Sequence, residues 1–90
     1  MKVLGTKLCI KCDEAIARLQ ELGIEYEYVD FTESIMLLKD FMKFRDIHKE
    51  FDWTRGTGTI GIPCFVFENG EITFDLEEAI KKTPTKYFHL

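Results

Sequence analysis

Two of the three cysteines stand as Cys9-Ile10-Lys11-Cys12. Thiols at this spacing can close a local disulfide or supply half of a metal site. The chain opens Met1-Lys2-Val3-Leu4-Gly5, with no apolar segment long enough for a secretory signal. An odd cysteine count without such a signal does not read as a disulfide framework. The reading is thiol chemistry in a reducing compartment, with cytoplasm as the expected location.

The surrounding pattern puts the pair at a helix start. Lys2-Val3-Leu4-Gly5 reads as a short buried strand, and Thr6 to Leu8 as loop. Cys12, Ala15, Ile16, Leu19 and Leu22 then recur at helical spacing, and Gly23 follows as a stop. A helix over about Lys11 to Leu22 presents free amides and a partial positive charge to Cys9. Lys7 and Lys11 add positive charge. Together these favour the thiolate, the reactive form. Cys12 shares the apolar helix face, so it is expected to be buried and protonated. The division of labour follows: Cys9 attacks a disulfide, and Cys12 resolves the mixed disulfide.

The remaining elements can be read in the same way. Ile24 to Val29 alternates as a strand. Asp30-Phe31-Thr32-Glu33 has a capping-box shape before a long helix over about Glu33 to Phe51. On that helix Leu37, Phe41, Phe44, His48 and Phe51 share a face, which Ile35, Leu38 and Met42 widen beyond what one core contact needs. Lys43, Arg45 and Lys49 read as a solvated face. Thr54 to Gly61 is a compact loop ending at Ile62-Pro63, and Trp53, Arg55 and Thr57 are candidate groove residues there. Cys64 to Phe67 and Ile72 to Phe74 are strands about Asn69-Gly70, a type I′ hairpin signal. Asp75-Leu76-Glu77-Glu78 opens a last helix ending near Lys82, with Pro84 beyond it. The order is β-α-β-α-β-β-α: an α/β (α+β) fold, its first crossover joining a parallel pair and its hairpin antiparallel.

Composition narrows the classes. The chain has 90 residues, 46% of them hydrophobic and 31% charged, which suits one domain spanning 1–90. Its longest apolar runs are a few residues, far below the ~20 a membrane-spanning helix needs. The net charge of −4 excludes the basic face of a nucleic-acid module.

With these residues in place, the sequence resembles the glutaredoxins of the thioredoxin-fold superfamily over nearly its whole length. Cys9-Ile10-Lys11-Cys12 falls at the family's active-site CxxC, Tyr26-Glu27-Tyr28-Val29-Asp30 at its second strand, and Ile62-Pro63 at its cis-proline before the hairpin. The resemblance implies a thioredoxin-like fold with a central four-stranded mixed sheet. It implies a thiol–disulfide oxidoreductase with Cys9 and Cys12 catalytic, and Lys7, Lys11, Ile62, Pro63 and Asp75 contacting glutathione or substrate. Glutathione would be the co-substrate, and disulfide-containing or glutathionylated proteins the partners. No nucleic acid, membrane or resident metal ion is expected, and the chain should be a monomer. The sequence also departs from the family. Ile10 and Lys11 replace the common proline and aromatic, Lys7 lies two rather than three residues before Cys9, and Gly61-Ile62 replaces threonine-valine.

Two alternatives come from the same superfamily. Cysteine motifs without the proline can hold a two-iron, two-sulfur cluster between two chains with glutathione, making an iron–sulfur carrier and a dimer. A redox-sensing regulator of the arsenate-reductase-like branch would need an arginine before Pro63, where Ile62 stands. Cys64 reads either as a small core residue or as a further thiol near the pair. A zinc site from Cys9, Cys12, Cys64 and either His48 or His89 satisfies ligand chemistry, although nothing in the sequence draws a histidine near.

Overall fold

The computed structural model describes residues 1–83, so Pro84 and His89 lie outside the described residues. Four strands, β1 (Lys2–Gly5), β2 (Glu27–Asp30), β3 (Cys64–Val66) and β4 (Ile72–Thr73), form one mixed sheet in the order β2-β1-β3-β4. β1 and β2 run parallel, as a strand–helix–strand crossover requires; β3 is antiparallel to both β1 and β4. Three helices cover the sheet: α1 (Ile10–Glu21), α2 (Ile35–Ile47) and α3 (Leu76–Lys81). This is a compact α+β architecture. No helix among the described residues is long and apolar enough to cross a membrane.

Strand alternation sorts the core into two halves. On one face Val3 and Phe65 pack with Ala15, Leu19 and Ile24 from α1 and its exit, and with Ala79 from α3. On the other, Leu4 and Cys64 pack with Phe31, Phe41 and Phe51 from α2 and the chain around it. The second half is held by aromatic contacts. Phe31 stacks on Phe41 at 4.3 Å, and Phe51 meets Phe74 edge-on at 5.0 Å.

Local chemistry explains where the boundaries differ from the sequence reading. α1 closes in a Schellman motif. Gly23 (φ 69) donates to Gln20, Ile24 donates to the Leu19 carbonyl, and both Ile24 and Leu19 are core residues. Ile24 is thereby committed to the helix end, so β2 starts at Glu27 rather than Ile24. α2 is capped by Ser34, whose hydroxyl accepts from the Leu37 N–H at 3.1 Å, and not by Asp30. α2 also ends earlier, at Ile47. His48 is extended (φ −101, ψ 119), and a 3₁₀ segment, Lys49–Thr54, follows. The Arg55 guanidinium caps that break by donating to the Arg45 and His48 carbonyls.

The hairpin is not type I′, because only Gly70 (φ 90) has positive φ and Asn69 does not. Gly70 N–H donates to Phe67 O, and Phe67 N–H to Glu71 O, so Glu68-Asn69-Gly70 forms a three-residue loop. The broad apolar stripe of α2 is only partly core. Phe41 is buried, while Ile35, Met36, Met42 and Ile47 face outward.

Gly61 has φ +93, and a Cβ there would lie 2.9 Å from the Phe51 ring and 3.1 Å from Thr54 Cγ2. Gly58 has φ +79 with open space around it. Gly61→Ala should therefore cost about 2–4 kcal/mol, from backbone strain plus overpacking, whereas Gly58→Ala should cost about 1 kcal/mol from strain alone. Denaturant midpoints measure both; equal losses would remove the packing role of Gly61.

Candidate functional site

Cys9 is the N-cap of α1. Its backbone is extended (φ −108, ψ 116), and its sulfur accepts from the Cys12 N–H at 3.3 Å. An N-cap ordinarily offers an oxygen to these free amides; here a sulfur takes that place. The Cys9 carbonyl accepts the first helical bond, from Asp13, and the Cys9 N–H donates to Thr6 at 3.0 Å. Cys9 is half-buried, between Leu8 and Ile10, which are 77% and 76% exposed. Cys9 thus sits between two exposed apolar side chains.

Cys12 is fully buried. Burial pushes its thiol up to about 12, and the neighbouring Cys9 sulfur pushes the same way. At neutral pH Cys12 is held as the thiol. Its sulfur fits because residue 5 is glycine: a Cβ on Gly5 would come within 2.7 Å of it.

Asp30, at the end of β2, braces the loop that presents Cys9. Its carboxylate accepts from the Lys7 N–H at 3.0 Å and from both the N–H and the hydroxyl of Thr32. The Thr32 hydroxyl pairs with that of Thr6, and the Thr6 oxygen accepts from the Leu8 N–H. Burial alone would raise the Asp30 carboxyl, but the bonds from Thr32, Lys7 and Thr6 outweigh it, and the net effect is a lowering.

The second loop of the site precedes β3. The Ile62–Pro63 peptide is cis, as expected from the resemblance. β1 pairs with β3 up to Leu4 opposite Cys64, so Pro63 and Gly5 continue from adjacent strands at the same end of the sheet. Arg45 secures this loop, donating to Ile60 O at 3.1 Å, Thr59 O at 2.9 Å and Thr54 Oγ1 at 2.9 Å. It is a buttress and not part of a solvated face.

The other candidate residues separate. Lys7 and Lys11 have exposed side chains on either side of Cys9. Ile62 is partly buried against the Phe51 half of the core. Asp75 follows β4 at the same sheet end, and its carboxylate caps α3 by accepting from Glu77 N–H at 3.0 Å. Cys64 is a core thiol pushed up to about 12 by burial, and it belongs to the opposite face of the sheet from Cys12. It therefore does not join the pair as a further thiol or as a shared ligand. The His48 ring packs on Phe44 at 4.1 Å. Among the described residues no group of three or more His, Cys, Asp and Glu side chains is placed to hold a metal ion. Trp53, in the 3₁₀ segment rather than the loop, meets Phe74 edge-on, and the Arg55 and Thr57 side chains bond to the end of α2 and to Thr54.

Gly5, Asp30 and Arg45 escape a reading of the sequence. A glycine inside a strand is a signal of close approach, and Gly5 follows that rule. Asp30 looks like a helix cap, and Arg45 looks like any surface arginine.

The fold and site together define a small α+β domain whose helix-start cysteine pair lies at the carboxyl end of β1. No protein-family model and no solved structure matches the chain. It is 36% identical over 63 residues to an uncharacterized protein of Haemophilus influenzae, a match covering 70% of this chain and 73% of that protein. The chain belongs to the same family as that protein.

Asp30→Asn keeps the shape but removes the charge and turns a donor toward main-chain donors. It should cost about 1–3 kcal/mol at neutral pH. A carboxylate whose ionisation is eased by folding contributes stability that is complete above its ordinary titration range and is lost as pH falls from that range through the lowered folded-state value. The gap between wild type and variant should therefore narrow in acid. Urea titrations at pH 7 and pH 3 check this; a gap unchanged in acid would contradict the charged role.

Proposed function

We propose that the chain is a glutaredoxin-like thiol–disulfide oxidoreductase with a thioredoxin-like topology. The observation that carries this reading is the asymmetry of the pair. Cys9 is a half-exposed N-cap whose sulfur accepts a helical amide, while Cys12 is a buried thiol three residues on. The Cys12 N–H points at the Cys9 sulfur, and burial holds Cys12 as the thiol. The strand order, the crossover between β1 and β2, and the placement of Pro63 at the same sheet end support the same reading.

The reaction follows from this asymmetry. The Cys9 thiolate attacks one sulfur of a protein disulfide or glutathione mixed disulfide, and the other sulfur leaves as a thiolate. Cys12 then gives up its proton and attacks Cys9, closing the Cys9–Cys12 disulfide and releasing the reduced substrate. The substrate gains two electrons and the cysteine pair loses them. Glutathione serves as co-substrate, either by releasing the mixed disulfide in place of Cys12 or by returning the pair to the dithiol.

Turnover of a glutathionylated peptide in the presence of glutathione and its reductase tests the roles. Cys9→Ser should lower the rate by about a hundredfold or more. Cys12→Ser should retain turnover of the glutathionylated peptide but lose reduction of a protein disulfide. An unimpaired Cys9→Ser enzyme would remove the assigned nucleophile.

A further inference from the structure

Among the described residues, one buried side-chain polar atom has no hydrogen-bond partner: the hydroxyl of Tyr28 on β2. A buried, unpaired hydroxyl is destabilising. Its place in the fold accounts for that cost. A Cβ built on Gly5 would meet Cys12 Sγ at 2.7 Å and Tyr28 Cε1 at 3.4 Å, so the tyrosine ring and the resolving sulfur share one hollow over the missing side chain. The hydroxyl is also shielded from water.

We infer that the Tyr28 hydroxyl is the hydrogen-bond donor that receives the Cys12 sulfur when that thiol ionises to resolve the mixed disulfide. This rests on the oxidoreductase reading and adds a residue to it. The Thr6 main chain already eases ionisation of Cys12, but burial outweighs it and holds the proton at neutral pH, so Cys12 needs the help of a second donor. Tyr28 is suited to give it. Burial first, then the nearby Cys12, Asp30, Asp13 and Cys9, push the phenol up to about 12, so it remains a donor. These are the ionisable groups that face it, from α1 and from its own strand. Tyr28 keeps its proton throughout. The Cys12 proton ends on the departing substrate thiolate; the Cys9–substrate S–S bond breaks as the Cys9–Cys12 bond forms.

The test is stopped-flow oxidation of the reduced chain by glutathione disulfide, with acid-quench mass spectrometry separating glutathionylation from ring closure. Tyr28→Phe keeps the ring and removes only the hydroxyl. It should leave Cys9 glutathionylation unchanged, slow ring closure about tenfold, and move the pH dependence of closure to higher pH. Removing an orphaned hydroxyl should also leave the fold at least as stable, which excludes misfolding as the cause. Ring closure within about twofold of wild type, on an unshifted pH profile, would overturn the inference and leave the oxidoreductase reading intact. A wild-type chain that takes no glutathione on Cys9 would remove both.

Discussion

The site depends on a sulfur atom standing where a helix N-cap oxygen usually stands. Cys9 Sγ accepts from the Cys12 N–H, which is one of the amides that the first turn of α1 leaves without a helical partner. That bond links the two cysteines: Cys9 is half-buried at the helix end, and Cys12 lies on the buried helix face. Much of the surrounding structure serves to keep it. Gly5 leaves room for the Cys12 sulfur, and Asp30 ties the Thr6–Leu8 loop so that the chain arrives at Cys9 in an extended conformation.

The sheet also separates the cysteines by face. β1 presents Val3 and Gly5 to the α1 face and Leu4 to the α2 face, because side chains alternate along a strand. Cys12 packs over Gly5, whereas Cys64 pairs with Leu4 and shares its face. Cys64, immediately after Pro63 in sequence, is thus separated from Cys9 and Cys12 by the thickness of the sheet. The loop before it is fixed by Arg45, which spans from α2 to the Thr59 and Ile60 carbonyls.

Residues whose role depends on near neighbours were legible in the sequence. The apolar period of α1 and the Gly23 stop placed that helix to within a residue at its start, and hydrophobic alternation put Cys12 on its buried face. What escaped depends on contacts between distant segments. Asp30 precedes a helix and has a cap's spelling, yet its carboxylate bonds to the chain at Lys7. The break at His48 is stabilised by Arg55, several residues further on. Asn69-Gly70 spells a two-residue turn, but the strand register adds a residue to the loop. The stripe on α2 could not reveal that Phe41 alone would be buried in that helix.

The central claim is that main-chain geometry makes Cys9 the reactive thiol of the three. Brief iodoacetamide treatment of the folded, reduced chain at neutral pH, followed by peptide mapping, tests it directly. Label should accumulate on Cys9, with Cys12 and Cys64 modified only after unfolding in guanidinium. Labelling of Cys12 or Cys64 as fast as Cys9 in the folded chain would contradict the account.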